Sequence, residues 1–238
     1  MSPTSSPAPA GSIAEAIQRM QEIEAPLQDS DGLKWFNFLY LSVTQAVQDE
    51  IAKANTFEDP AWINRLDVVF ANLYFAAVSD VQQQGVEAAP AAWRPLLKNR
   101  ATHNIARIQF ALAGMNAHIN RDLVVALLAM YASDGRAADA NSPQFRDFTH
   151  VNQLLESVET QVKPVLLVGT PLETGGHLAP LEDILAMWSV GAARQAAWDH
   201  SQALWNLRAL PAVEKASLDA LDGLTELASN GLMVRVLP

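Results

Sequence analysis

The chain has 238 residues and no cysteine, so it can form neither disulfides nor thiolate metal sites. Any metal ion bound by side chains must use histidine, aspartate or glutamate. Basic residues are also few, since 16 lysines and arginines stand against 26 aspartates and glutamates, for a net charge of −10. Nucleic acids and anionic membranes select clustered positive charge, so this balance argues against both as partners. A cysteine-free, acidic chain fits a cytoplasmic location.

Strand-like alternation is scarce, whereas apolar residues make up half of the chain and recur every three or four positions, which is the helical period. The pattern predicts an all-α fold with one core and about seven helices. These helices are predicted over residues 12–27, 31–54, 59–84, 90–133 (with a break near 100–104), 143–162, 181–208 and 212–229. Residues 1–11, rich in proline and serine, are predicted to be a disordered leader, which leaves 12–238 as a single helical domain.

The most apolar stretch runs from Ile108 to Ser133 and contains Arg121, Asp122 and the titratable His118. In a membrane span these side chains would lie near the middle of the bilayer, at a high cost in free energy. We therefore expect a central helix that is buried in the protein core.

His118 and Asp122 are four residues apart, so they share one face of the central helix. This spacing suits a divalent metal such as zinc, bound by imidazole and carboxylate. It equally suits an acid–base pair in which Asp122 orients His118 as general base. Asn116 and Asn120 lie on the neighbouring face, where they could donate to a substrate oxygen or tie helices together.

A second pair of charged residues also lies on apolar helix faces. Asp67 falls inside a stripe formed by Ile63, Leu66, Phe70 and Leu73, and Arg194 shares its face with Met187, Gly191, Trp198 and Trp205. Because an unpaired buried charge is costly, we expect Asp67 and Arg194 to form a buried ion pair. Asp122 or a bound carboxylate or phosphate is the alternative partner of Arg194. Together with Trp198, these residues are predicted to bind substrate.

Three stretches carry a resemblance to a known family: GMNAHINRDL (114–123), RLDVVFANLYF (65–75) and AARQAAW (192–198). Together they resemble a bacterial family called domain of unknown function 5995, over about residues 60–200. The resemblance implies a helical domain but no established activity. It also points to six shared polar positions: Asp67, Asn116, His118, Asn120, Asp122 and Arg194.

A weaker similarity is to the zinc-dependent phospholipase C and P1 nuclease group, whose helical members also place an HxxxD pair on a core helix. That group has an N-terminal tryptophan and an export signal, which this sequence lacks. A three-zinc phosphoesterase is therefore not expected.

These patterns lead to three ranked hypotheses of function. The first is a cytoplasmic small-molecule enzyme with a tryptophan-lined pocket between the third, central and sixth helices, most concretely a metal-assisted hydrolase. The second is a cofactor-free cyclase or isomerase that uses His118 and Asp122 for proton transfer. The third is a binding or interaction domain whose polar cluster is only structural. A homodimer is compatible with all three.

Overall fold

A computed structural model describes residues 8–179, 182–183, 185 and 189–237. Its regular elements in these ranges are all helical, which confirms the predicted all-α class. The α-helices are α1 (Ile13–Glu24), α2 (Gly32–Ile51), α3 (Pro60–Gln84), α4 (Arg94–Asn99), α5 (Arg107–Ala117), α6 (Leu123–Asp134), α7 (Pro143–Leu166), α8 (Val190–Leu207) and α9 (Pro211–Leu232). Short 3₁₀ turns span Val86–Ala88, Ala91–Trp93 and Pro171–Thr174.

Side-chain caps begin several of these helices, as local sequence predicts. Ser12 accepts a hydrogen bond from the backbone N–H of Glu15 at 3.2 Å and so caps α1. Asp59 caps α3 by accepting from the N–H of Trp62 at 3.0 Å, and Pro60 follows at the first helical position. Each cap satisfies a donor that the first helical turn leaves free, which is why these starts can be read from a few residues.

The central helix is continuous from Arg107 to Asp134 but changes its winding in the middle. Residues His118–Asp122 form a π-helical turn between α5 and α6, in which the N–H of Leu123 donates to the carbonyl of His118. A π turn accommodates one extra residue and is frequent at functional sites. The sequence indicated the helix and the break before it, which lies between α4 and α5, but not this turn.

Close contact between α2 and α5 depends on two glycines. A Cβ atom on Gly32 would lie 2.3 Å from the ring of Phe110, and one on Gly114 would lie 2.3 Å from the ring of Phe36. Each aromatic ring therefore packs directly against the backbone of the facing helix. Further along, α9 also packs on α5, while α3 and α8 pack on α6. The middle of the central helix is thereby enclosed from several sides.

Two expected segments differ from the structure or lie outside it. Of the predicted leader, residues 1–7 are outside the described residues, but Ala10 is buried and exchanges two backbone hydrogen bonds with the side-chain amide of Asn72, at 2.8 and 2.9 Å. Of the helix predicted over 181–208, positions 181, 184 and 186–188, including Met187, lie outside the described residues.

Among the helices that are described, none combines the length and hydropathy needed to cross a membrane.

Candidate functional site

A cavity of about 50 Å³ lies beside the π turn, between α2, α3, α7 and α8. Four polar side chains contribute to its wall: Tyr40, Asp67, His118 and Arg194. The rest of the wall is apolar and consists of Val43, Val47, Ile63, Leu66, Phe70, Met115, Ile119, Leu123, Val151 and Leu155. A few polar groups converging in an apolar pocket is the usual composition of a small-molecule site.

Several polar atoms at this cavity have no hydrogen-bond partner. Among the described residues, five buried side-chain atoms are unpartnered: Tyr40 Oη, Thr44 Oγ1, Trp62 Nε1, Asp67 Oδ2 and His118 Nε2. Three of these five belong to residues that line the cavity. Leaving a buried polar atom unpaired costs about 1–3 kcal/mol, so proteins rarely concentrate such atoms in one place without a use. Because the protein itself leaves these atoms unpaired, they are available to a molecule that occupies the cavity.

His118 is held in one orientation by its neighbours. Its Nδ1 lies 3.1 Å from Oδ2 of Asp122, and its ring stacks on Phe70 with centroids 3.5 Å apart and planes 6° from parallel. Because the Asp122 oxygen accepts from other donors as well, the imidazole hydrogen belongs on Nδ1, which leaves Nε2 with a free lone pair. Burial lowers the pKa of His118, although Asp122 opposes this shift. The ring is thus a neutral base whose acceptor nitrogen has no partner.

Asp122 is fully buried, and N–H groups occupy both of its oxygens. Oδ2 accepts from Trp93 Nε1 at 2.9 Å as well as from His118, and Oδ1 accepts from Arg121 Nη1 at 2.6 Å. These three contacts take up most of the acceptor capacity of the carboxylate. Within the described residues, no group of three or more histidine, aspartate or glutamate side chains is placed to hold a metal. The geometry favours an orienting role for Asp122 over that of a metal ligand with His118.

Asp67 has an environment that favours its protonated form. Part of the residue is exposed, but Oδ2 is shielded from solvent and has no partner in the described structure. Burial raises the pKa of Asp67 to about 7, with the charge of Arg194 acting in the opposite direction. Near neutral pH this carboxyl group therefore carries a proton in a large share of the molecules and can act as a donor.

Arg194 does not form the direct ion pair with Asp67 that the sequence suggested, since no described ion pair joins them. Its Nε donates to Oδ1 of Asn152 at 2.7 Å, its Nη2 donates to the carbonyl of Phe148 at 2.9 Å, and the guanidinium lies over the Phe148 ring at 4.1 Å. Burial lowers the pKa of Arg194 to about 10. The partners come from α7, which apolar periodicity along α3 and α8 could not reveal.

Asn116 and Asn120 do not line the cavity, in contrast to the predicted substrate-positioning role. Asn116 Nδ2 donates to the carbonyl of Thr225 at 3.0 Å and to Ser229 Oγ at 2.8 Å, while its Oδ1 accepts from Asn120 at 2.7 Å. These bonds tie the central helix to α9. Of the two alternatives that the sequence left open, the structure supports the connection between helices.

Trp198 also lies away from the cavity. Its ring packs against Phe145 and Phe148, each with centroids 4.9 Å apart, and more distantly against Trp62. The predicted tryptophan-lined pocket is therefore replaced, in the described part of the chain, by a wall of Phe70, Tyr40 and aliphatic side chains. Trp198 is therefore part of the hydrophobic core, which is the more common place for a tryptophan on an apolar helix face.

Sequence reasoning missed Tyr40 and Trp93. Tyr40 contributes its hydroxyl to the cavity wall, and burial followed by the charge of Asp67 holds its pKa well above the usual range, with the hydroxyl of Thr44 acting in the opposite direction. The one available signal was a tyrosine inside the apolar face of α2, because a buried phenol requires a hydrogen-bond partner. Nothing local indicated that Trp93, 29 residues earlier in the chain, would donate to Asp122.

Comparison with known proteins agrees with the sequence motifs. The profile of a family described as "Family of unknown function (DUF5995)" matches residues 13–235. The chain belongs to this family. The match includes all residues of the cavity wall. No curated protein and no solved structure matches the chain, so the comparisons give no support to a similarity with zinc-dependent phospholipase C and P1 nuclease.

Proposed function

We propose that the protein is a small-molecule enzyme that catalyses proton transfer on an apolar carbonyl compound, as an isomerase or cyclase does. One observation carries this proposal: the unpartnered Nε2 of the buried His118 and the carboxyl of Asp67, whose pKa is raised, belong to the same cavity. Two titratable groups whose surroundings shift their pKa values in opposite senses form a natural base and acid.

Each polar side chain has a distinct part in this reaction. His118 Nε2 removes a proton from the carbon next to the carbonyl, and Asp122 stabilises the imidazolium that results. The electron pair of the broken C–H bond moves to the carbonyl oxygen, which receives a proton from Asp67. Arg194 stabilises the negative charge that develops there. Where the substrate has a double bond between its β and γ carbons, the product of this step is a dienol. Return of the proton from His118 to the γ carbon, and of the enol proton to Asp67, then yields the conjugated isomer and restores the enzyme.

The other hypotheses are less well supported by the geometry. A metal-assisted hydrolase that uses His118 and Asp122 as ligands would have to displace Trp93 and Arg121 from the carboxylate. A purely structural cluster leaves three unpartnered atoms at one cavity without a use. Location in the cytoplasm and the absence of a nucleic-acid partner stay predictions from composition, and a homodimer stays compatible with all three hypotheses.

Hydrogen–deuterium exchange tests the proposal directly. The protein is incubated in D₂O with a panel of small linear and cyclic ketones and enones, and NMR follows loss of the proton next to the carbonyl. We expect exchange with the wild type, background exchange with His118→Asn, and unchanged exchange with His200→Asn, since His200 is exposed on α8. Exchange at the solvent rate throughout the panel, or equal rates for wild type and His118→Asn, would contradict the proposal.

A further inference from the structure

A second cavity, of about 30 Å³, adjoins the first and is not lined by Asp67 or His118. It shares the side chains of Val43, Met115 and Leu155 with the first cavity. The rest of its wall consists of Leu39, Ile108, Leu112, Glu159, Val162, Lys163, Leu166, Leu185 and Val190. Apart from Glu159 and Lys163, which are exposed, this wall is aliphatic.

We propose that the two cavities are the head and tail chambers of one site, and that the substrate is a linear hydrocarbon chain with a carbonyl group at one end. This inference rests on the proposed function, because the carbonyl head is placed at His118, Asp67 and Arg194. The tail lies along the aliphatic wall and its end approaches solvent at Glu159 and Lys163.

The aliphatic wall of the second cavity favours a hydrocarbon chain as the substrate's tail. A polar tail would lose its hydration in the second chamber without gaining hydrogen bonds, whereas a hydrocarbon gains about 0.8 kcal/mol for each buried methylene. The two cavities, of about 50 and 30 Å³, share one wall, so an extended, unbranched chain can occupy both once that wall opens, whereas a ring would occupy only one.

Met115 gives the two chambers a means of joining. Its side chain lies in the shared wall and is buried. Methionine is unbranched, with three rotatable bonds, so it adapts to an occupant at low cost, in contrast to the β-branched Val43 beside it. Rotation of Met115 opens a passage from the head chamber to the tail chamber without moving the backbone.

Calorimetric binding of a ketone series to the wild type is the primary test. The probes are 2-alkanones from butanone to decan-2-one. We expect the affinity to rise about fourfold for each added methylene, until the tail chamber is filled, and then to level off. An affinity that does not depend on chain length, or that falls with it, overturns the proposal, and this result needs no variant.

Variants on α7 locate the tail. Val162 lines only the second cavity, so Val162→Phe is expected to remove the gain in affinity for long ketones and to leave butanone binding unchanged. Val158→Phe is the matched control, because Val158 is equally buried on α7 but lines neither cavity. If the ring at position 162 prevents folding, Val162→Leu, which adds one methylene, should shift the optimum to a chain about one carbon shorter. A chain-length profile unchanged by a folded variant at Val162 overturns the proposal.

The binding series and the exchange experiment fail independently. A chain-length dependence without deuterium exchange would leave the tail chamber in place and contradict the proposed reaction. Exchange on short ketones with no gain for longer ones would uphold the reaction and contradict the tail chamber.

Discussion

Replacing Asp67 by asparagine should change how the stability of the protein depends on pH. The pKa of Asp67 is raised from 3.8 to about 7 in the folded chain, chiefly by burial. A raised pKa means that the folded state favours the protonated carboxyl. The stabilising effect of this protonation is complete below the pKa of the unfolded chain and is lost as the pH rises through the pKa of the folded chain.

The size of the effect follows from the two pKa values. Between pH 5 and pH 7 Asp67 is ionised in the unfolded chain and largely protonated in the folded chain. Stability therefore falls by about 2 kcal/mol over this interval, because the slope of about 1.4 kcal/mol per pH unit weakens as Asp67 approaches half ionisation at pH 7, and it levels off about one pH unit higher. Asparagine does not ionise, so the stability of Asp67→Asn relative to the wild type should rise by the same amount over this interval. For a chain of this length that corresponds to about 4–8 °C in melting temperature.

Thermal melts of wild type, Asp67→Asn and Asp49→Asn across this pH range measure the effect. Asp49 is exposed on α2, so Asp49→Asn controls for the loss of a carboxylate in general. The difference in melting temperature between Asp67→Asn and wild type should grow steadily from pH 5 to pH 7 and then level off. A constant difference over the whole range would refute the reasoning, since it would mean that Asp67 titrates alike in the folded and unfolded states.

Three further predictions concern other parts of the structure. Asp122→Asn should move the hydrogen of His118 from Nδ1 to Nε2, visible by ¹⁵N NMR, and slow deuterium exchange on the order of a thousandfold; an unchanged tautomer would contradict the orienting role. Gly114→Ala should destabilise the fold by about 1–3 kcal/mol in urea unfolding, because its Cβ would overlap the Phe36 ring, whereas Gly223→Ala on the open side of α9 should not destabilise it. A chain that starts at Ser12 lacks the hydrogen bonds between Ala10 and Asn72, so its free energy of unfolding should be about 1–2 kcal/mol lower. An unfolding midpoint within error of the full chain would count against that docking.

Local sequence determined where helices begin and which of them is the apolar central helix. The caps at Ser12 and Asp59 act within three residues, and the apolar character of the central helix is a property of its own composition. The closeness of His118 and Asp122 is likewise a local consequence of a four-residue spacing. These features follow from short-range hydrogen bonds and from periodicity, both of which are visible in a single segment.

Tertiary structure alone decided which of the polar residues face a cavity. Asp67 and His118 come together from different helices, while Asn116 is drawn to α9, 109 residues away. The partners of Arg194, 42 and 46 residues earlier in the chain, replaced the expected pairing with Asp67. A buried polar group satisfies its hydrogen bonds with whatever the packed neighbours present, and periodicity shows which face is buried but not which helix covers it.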